Sequence, residues 1–172
     1  MEAIQVIPNC TVTTTEATDH SMQTPVAQLS AAKDVLLVED SLGDVRLMQE
    51  AFRTANADVR LHIAGDGVQA MDFLRRLGVH TSAPRPDLIL LDLNLPRMDG
   101  HEVLALIKED SDLKAIPTVI LTTSDSQTDI ARGYHLKANC YLGKPSQFDD
   151  FEKLVVGINR FWLATATPPP AG

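Results

Sequence analysis

Short apolar runs alternate with longer segments of helical periodicity through the middle of the chain. Five runs of four to six residues are rich in aliphatic side chains, as is typical of buried strands. They cover residues 35–38, 59–64, 88–93, 118–123 and 140–143. Amphipathic segments follow them near residues 42–55, 67–77, 99–109, 126–136 and 148–164. Five strands alternating with five helices predict an α/β fold, in which a parallel sheet has helices on both faces.

The second run differs from the others because it alternates cleanly. Val59, Leu61 and Ile63 would lie on one face, and Arg60 and His62 on the other. Such alternation is typical of a half-exposed edge strand, whereas the other runs resemble central strands. The pattern therefore predicts a doubly wound, flavodoxin-like five-stranded parallel sheet of order 2-1-3-4-5. In such a sheet, ligands bind outside the carboxyl ends of the strands, at the switch point between strands one and three.

Acidic residues stand at this switch point. Glu39 and Asp40 follow the first run, and Asp92 follows four aliphatic residues of the third. Burying a carboxylate there is costly unless a cation pairs with it. Three carboxylates at one edge of a sheet suit a hard divalent ion, and an open site favours Mg²⁺. The alternative interpretation is a trio of solvated acids at strand ends.

Two further strand ends add chemistry to the same edge. Thr122 and Thr123 close the fourth run, and Lys144 follows the fifth. Singly, such residues are more often turn residues and solvated charges. Together, a hydroxyl, an ammonium, a metal site and a carboxylate nucleophile are what phosphoryl transfer requires. Because Lys144 would neutralise phosphoryl charge, we expect it to matter little for folding before that charge arrives.

The sequence resembles the receiver domain of two-component response regulators over residues 34–164. The matching segments are VLLVED (35–40), LILLDLNLPRMDG (88–100), VILTTSD (119–125) and YLGKP (141–145). The resemblance implies that Asp92 accepts a phosphoryl group from a sensor histidine kinase. It also implies that Mg²⁺ binds to Asp40, Asp92 and the backbone carbonyl of Asn94, with Glu39 acting directly or through water.

The same resemblance assigns roles at the ends of the last two strands. Thr122 and Lys144 would contact the phosphoryl oxygens, and Tyr141 would be the aromatic switch residue that moves inward as Thr122 shifts. Pro145 would follow a cis peptide bond. Finer similarities point to the stand-alone regulators paired with bacterial and cyanobacterial phytochromes. They lie in EDSLGDVRLMQEAF (39–52), HTSAPRPDL (80–88), LTTSDSQTDI (121–130) and FWLATATPPP (161–170).

Composition sets limits on partners and location. Residues 1–33 show no sustained periodicity and are interpreted as a flexible extension, and residues 165–172 as a Pro-rich tail. The net charge of -8 argues against non-specific nucleic-acid binding, and no apolar run is long enough to span a membrane. Two distant cysteines, Cys10 and Cys140, favour a reducing compartment, so we expect a cytoplasmic protein.

Two rival functions remain at this point. An aspartyl phosphatase would need a second acid where this chain has Asn94, so we expect a phosphoacceptor rather than an enzyme. A degenerate docking receiver is disfavoured because Asp40, Asp92, Thr122 and Lys144 are all present. About ten residues follow the last helix, too few for a DNA-binding unit, so output should pass through protein contacts.

The final helix offers a candidate contact surface. Phe161, Trp162 and Leu163 are consecutive, and three large apolar residues cannot all face inward on one helix. We expect Ile158 and Trp162 to be buried and at least one of Phe161 and Leu163 to be exposed. An exposed apolar patch on a signalling domain marks a contact site, which predicts a homodimer at this face.

Overall fold

A computed structural model describes residues 32–167 of the chain, so most of the predicted N-terminal extension and the last five residues, 168–172, lie outside it. The strands are β1 (Lys33–Val38), β2 (Val59–Ala64), β3 (Leu88–Leu91), β4 (Thr118–Thr122) and β5 (Cys140–Gly143). The helices are α1 (Leu42–Thr54), α2 (Gly67–Leu74), α3 (Gly100–Glu109), α4 (Gln127–His135) and α5 (Phe148–Ile158). A π-helical turn, Asn159–Leu163, continues α5.

The five strands form one parallel sheet of order β2-β1-β3-β4-β5, as predicted. In β1, Leu36 and Val38 belong to one apolar cluster, with residues of α2 and α3. Val35 and Leu37 belong to a second cluster, with residues of α1 and α5. Both faces of the central strands are therefore covered, which is why these strands lack a polar alternation.

The two edge strands differ from the sequence predictions in detail. β2 is an edge strand, but Ile63 is 37% exposed rather than buried, because an edge strand has a neighbour on one side only. β5 is the other edge and is only partly buried, so the expectation of a central strand was wrong. Its apolar character has another cause: Tyr141 packs on one cluster, while Cys140 and Leu142 pack on the other.

The first turns of α1 and α3 lie at the carboxyl edge of the sheet, close to the acids that follow β1 and β3. The Ser41 side chain caps α1 directly after the acids that follow β1. Asp99 caps α3 in a capping box with Glu102. A Cβ on Gly100 would overlap the backbone carbonyl of Asp92, so only glycine lets α3 begin this close to the end of β3.

Within residues 32–167, no helix is long and apolar enough to cross a membrane.

Candidate functional site

The three predicted acids meet at the switch point. Glu39 follows β1 and is 3% exposed, Asp92 follows β3 and is 5% exposed, and Asp40 is exposed. One carboxylate oxygen of each lies within 4.8 Å of the others. The structure therefore supports the predicted cluster over three separately solvated acids.

Lys144 lies inside this acidic cluster. Its Nζ donates to Glu39 Oε2 at 2.5 Å, to Asp92 Oδ2 at 2.6 Å and to Asp44 Oδ2 at 3.1 Å. Burial alone would lower the pKa of the ammonium, but the hydrogen bonds to Asp92 and Glu39 reverse this and hold that pKa above its usual value. This geometry argues against the expectation that Lys144 matters little before phosphoryl charge arrives, because the ammonium already compensates two buried carboxylates.

Asp44 is the site residue that sequence reasoning missed. It lies in the first turn of α1, where an acid is ordinarily explained by its favourable interaction with the helix dipole. The structure instead directs its carboxylate toward Lys144, with about a third of the side chain exposed. Its position five residues after Glu39, at the start of the helix that leaves the site, was the available signal.

Backbone amides hold the carboxylates in place. Asp92 Oδ1 accepts from the amides of Leu93 at 2.6 Å and Asn94 at 3.3 Å, which leaves Oδ2 facing the ammonium. Glu39 Oε1 accepts from the Ser41 amide at 3.1 Å. Burial raises the pKa of Glu39 above its usual value, against the opposing hydrogen bond from Lys144. The two raised pKa values have different causes: burial dominates at Glu39, whereas the hydrogen bonds to Asp92 and Glu39 outweigh burial at Lys144.

The comparisons with known proteins agree with this geometry. Residues 35–156 match the model of the response regulator receiver domain. The chain belongs to the response regulator receiver family.

Two cyanobacterial proteins are similar to this receiver over most of its length. The response regulator Rcp1 of Synechocystis is 52% identical over 139 residues, which are 81% of this chain and 95% of Rcp1. The crystal structure of the phosphorylated cyanobacterial phytochrome response regulator RcpA is 48% identical, with a TM-score of 0.78 over 81% of this chain and 100% of that one. The Mn²⁺-bound form of Rcp1 has a TM-score of 0.75 over 80% of this chain and 99% of that one. The receiver is thus closely related to phytochrome response regulators.

Thr122 and Tyr141 lie beside the acids but do not hydrogen-bond to them within residues 32–167. Thr122 is fully buried; its hydroxyl accepts from the Ser124 amide at 3.4 Å, and its carbonyl accepts from the Lys144 amide at 2.8 Å. The Tyr141 hydroxyl donates to the Ser124 carbonyl at 2.9 Å. Both residues therefore connect to the loop between β4 and α4 through Ser124.

The Lys144–Pro145 peptide is trans, since residues 32–167 contain no cis peptide bond. The expectation of a cis bond is wrong for this structure. Trans is the lower-energy isomer before proline, and Lys144 reaches the acids from it.

The donor set fits a divalent cation. Three carboxylates supply hard oxygen ligands at one edge of the sheet, and the exposed Asp40 leaves the site open to hydrated ions. Three carboxylates, those of Glu39, Asp44 and Asp92, contact one ammonium, and the carboxylate of Asp40 lies close to two of them, so the cluster retains an excess of negative charge. Receiver domains bind a divalent metal in such an acidic pocket, and the residues present here suit that role.

Proposed function

We propose that this receiver accepts a phosphoryl group on Asp92 from a sensor histidine kinase of the phytochrome type, with Mg²⁺ bound beside it. The observation that carries the proposal is the position of the Asp92 carboxylate: one oxygen is held by backbone amides, and the other faces Lys144. The similarity to Rcp1 and RcpA supports a phytochrome-type kinase as the partner. A cytoplasmic location agrees with such a partner and with the two widely spaced cysteines.

The chemistry follows from the residues around Asp92. A carboxylate oxygen of Asp92 forms a bond to phosphorus while the bond from phosphorus to the histidine nitrogen breaks. The electron pair of that bond stays on the imidazole, which takes up a proton. Lys144 is already in place to neutralise charge on the phosphoryl oxygens, and the hydroxyl of Thr122 supplies a donor at the end of β4.

The metal would supply charge neutralisation at the transferring group. Glu39, Asp40, Asp92 and the backbone carbonyl of Asn94 would hold it, as the resemblance implies. Before the cation binds, the Lys144 ammonium donates hydrogen bonds to the carboxylates of Glu39 and Asp92. Binding of the cation therefore competes with the ammonium for the same oxygens, which predicts a moderate rather than a very high affinity for Mg²⁺.

Phosphorylation of an Asp92→Asn variant tests the acceptor assignment. The parent, Asp92→Asn and the control Asp150→Asn, which changes an exposed acid on α5, would each be incubated with acetyl phosphate and Mg²⁺, or with a phytochrome-type kinase and ATP, and followed by intact mass. We expect the parent and Asp150→Asn to gain one phosphoryl group and Asp92→Asn to gain none. EDTA should abolish the gain in the parent. Equal labelling of Asp92→Asn and the parent would contradict the proposal.

We further propose that the receiver signals through contact with a second copy of itself at its final helix. Phe161 is 57% exposed, whereas Leu163 is buried and Trp162 is partly buried against the core. The expectation that at least one of Phe161 and Leu163 is exposed is therefore confirmed. Val156, also on the last helix, is 49% exposed, and Tyr134 on α4 is 52% exposed. Large exposed apolar side chains on a signalling domain favour a protein interface.

Sedimentation tests the dimer. We expect the parent to self-associate in at least one phosphorylation state and Phe161→Asp to remain monomeric in both. Leu77→Asp is a matched control, because Leu77 is 50% exposed in the segment that follows α2. A parent that stays monomeric at high concentration in both states would remove the homodimer from the proposal.

A further inference from the structure

The segment that follows the phosphoacceptor is tightly folded. We call residues 93–99 the acceptor loop; it joins β3 to α3 and carries Asn94. Inside it, the Leu95 amide donates to the Leu93 carbonyl at 3.0 Å, and the Met98 amide donates to the Pro96 carbonyl at 2.7 Å. The Gly100 amide closes the loop onto the Leu93 carbonyl at 3.0 Å. These bonds define the curvature of the loop but do not attach its outer part to the rest of the domain.

That attachment comes from an ion pair with the start of α2. Asp66 follows β2, is 6% exposed and caps α2 by accepting from the Gln69 amide at 2.9 Å. The same carboxylate oxygen accepts from Arg97 Nη2 at 2.6 Å, and the other accepts from the Gln69 side chain at 2.7 Å. Burial opposes it, but the Arg97 hydrogen bond, with those from Gln69, holds the pKa of Asp66 below its usual value.

Two further observations show that the contact is specific. Arg97 has a φ of 65°, a left-handed conformation that is unfavourable for a residue with a side chain. A Cβ on Gly67 would lie 2.6 Å from the backbone carbonyl oxygen of Met98, so the start of α2 and the acceptor loop touch backbone to backbone. The acceptor loop therefore has an unfavourable backbone conformation at Arg97 and a close backbone contact with α2 at Met98, both beside the Asp66–Arg97 ion pair.

We propose that the Asp66–Arg97 ion pair positions the acceptor loop, and through it the backbone carbonyl of Asn94, for binding of a divalent cation. Arg97 is a positioning residue, since it acts on the metal site only through the backbone of the acceptor loop, in which Asn94 lies three residues before it. This inference rests on the proposed metal site and extends it with two residues that touch neither the metal ligands nor the phosphoryl group. An ordinary exposed ion pair has little effect, but here the acid is buried and belongs to a different loop.

Electrostatics and positioning predict opposite results when Arg97 is removed. Loss of a positive charge near an acidic pocket should by itself strengthen cation binding. Loss of positioning should weaken it, because a ligand that must be reordered binds less well. Weaker binding of Mg²⁺ to Arg97→Met therefore identifies the positioning role and cannot come from the change of charge.

Calorimetric titration of the unphosphorylated full-length protein with MgCl₂ tests the proposal. The variants are Arg97→Met and Asp66→Asn, which keeps an acceptor for the helix cap while losing the charge. Arg53→Met is the matched control, since Arg53 forms an exposed pair with Glu50 on α1 and lies far along the helix from the site. Thermal melts of each variant record whether it is folded, and Arg97 is 55% exposed at its side chain, so its loss leaves no cavity.

We expect Arg97→Met and Asp66→Asn each to weaken the binding of Mg²⁺ by about tenfold, the low end of the effect of removing a group that holds a metal ligand in place. The double variant should bind Mg²⁺ no more weakly than either single variant, because the two residues act through one shared ion pair. Arg53→Met should bind like the parent, and amide hydrogen exchange in residues 93–99 should be faster in the first two variants only.

Binding of Mg²⁺ to Arg97→Met as tight as to the parent, or tighter, would overturn the positioning role while leaving the metal site intact. A parent that binds no Mg²⁺ would overturn both the metal site and this inference. The two failures are therefore distinguishable in one set of titrations.

Discussion

Replacing Lys144 with methionine separates the structural role of its ammonium from its role in phosphoryl transfer. Methionine retains the length and apolar stem of the side chain but removes the charge. The Lys144 side chain is 4% exposed, and those of Glu39 and Asp92 are 2% and 6% exposed. The substitution therefore leaves two buried carboxylates without their cation.

The magnitude follows from these contacts. At an effective dielectric constant of about 20, one charge pair at about 3 Å contributes about 5 kcal/mol before desolvation is subtracted. Removal of one partner of a buried pair costs about 3–5 kcal/mol in measured cases. For a domain of this size, such a loss lowers the midpoint of thermal unfolding by about 10–15 °C.

Thermal and urea unfolding at neutral pH in EDTA measure the loss, and the same experiment with saturating Mg²⁺ measures its rescue. Mg²⁺ at about 100 times its Kd should add about 2.7 kcal/mol. At one fixed concentration of Mg²⁺, the gain should be larger for Lys144→Met than for the parent, because the variant binds the cation without competition from the ammonium. Lys153→Met is the matched control: Lys153 forms an exposed pair with Asp150 and should leave the midpoint nearly unchanged.

The pH dependence of the stability difference between Lys144→Met and the parent gives an independent check of this explanation. Once Lys144 is removed, no hydrogen bond from the ammonium opposes the effect of burial on Glu39, so the pKa of Glu39 should lie further above that of the unfolded chain and the folded variant should bind more protons over that range. The deficit of Lys144→Met should therefore be largest at neutral pH and shrink as the pH falls toward 5. An unfolding midpoint equal to that of the parent in EDTA at neutral pH would refute the reasoning.

Two further predictions concern an ion pair between β1 and β2 and a buried glycine of α4. The hydrogen bond from Arg60 lowers the pKa of Asp34 to about 2, so this carboxylate stabilises the fold above its unfolded pKa of about 4 and loses that contribution as the pH falls through 2. Asp34→Asn should cost about 1–2 kcal/mol at pH 7, with allowance for solvent screening at Arg60, and the difference should vanish near pH 2. A Cβ on Gly133 would lie 2.7 Å from Ile120 Cδ1, a terminal methyl that can rotate away. Gly133→Ala should therefore stay within about 1 kcal/mol of the parent, since alanine favours a helix, whereas Gly133→Val should lose about 1–3 kcal/mol by overpacking.

Urea unfolding between pH 2 and 7 checks the first of these predictions, and unfolding at pH 7 checks the second. A stability difference for Asp34→Asn that does not change with pH would show that the carboxylate acts through packing rather than charge. Equal stability of the alanine and valine variants would show that the space beside Gly133 is larger than the structure indicates.

The sequence alone determined the architecture and most of the site. Apolar runs of strand length alternate with amphipathic helices, and the alternation in β2 identified one edge, from which the order 2-1-3-4-5 followed. Parallel strands end at one edge of the sheet, so residues that follow different strands must meet there. This is why the sequence alone groups Glu39, Asp40, Asp92 and Lys144 at one edge of the sheet.

The tertiary structure decided which of these groups touch. Asp44 and Lys144 are 100 residues apart and belong to no common pattern, so their contact depends on how α1 packs onto the sheet and how β5 pairs with β4. The same holds for Asp66 and Arg97, which lie in different loops and meet only because α2 and α3 pack side by side. Periodicity assigns a residue to a face of an element, but the distance between two side chains depends on the packing of both elements, and that information is not local to either segment.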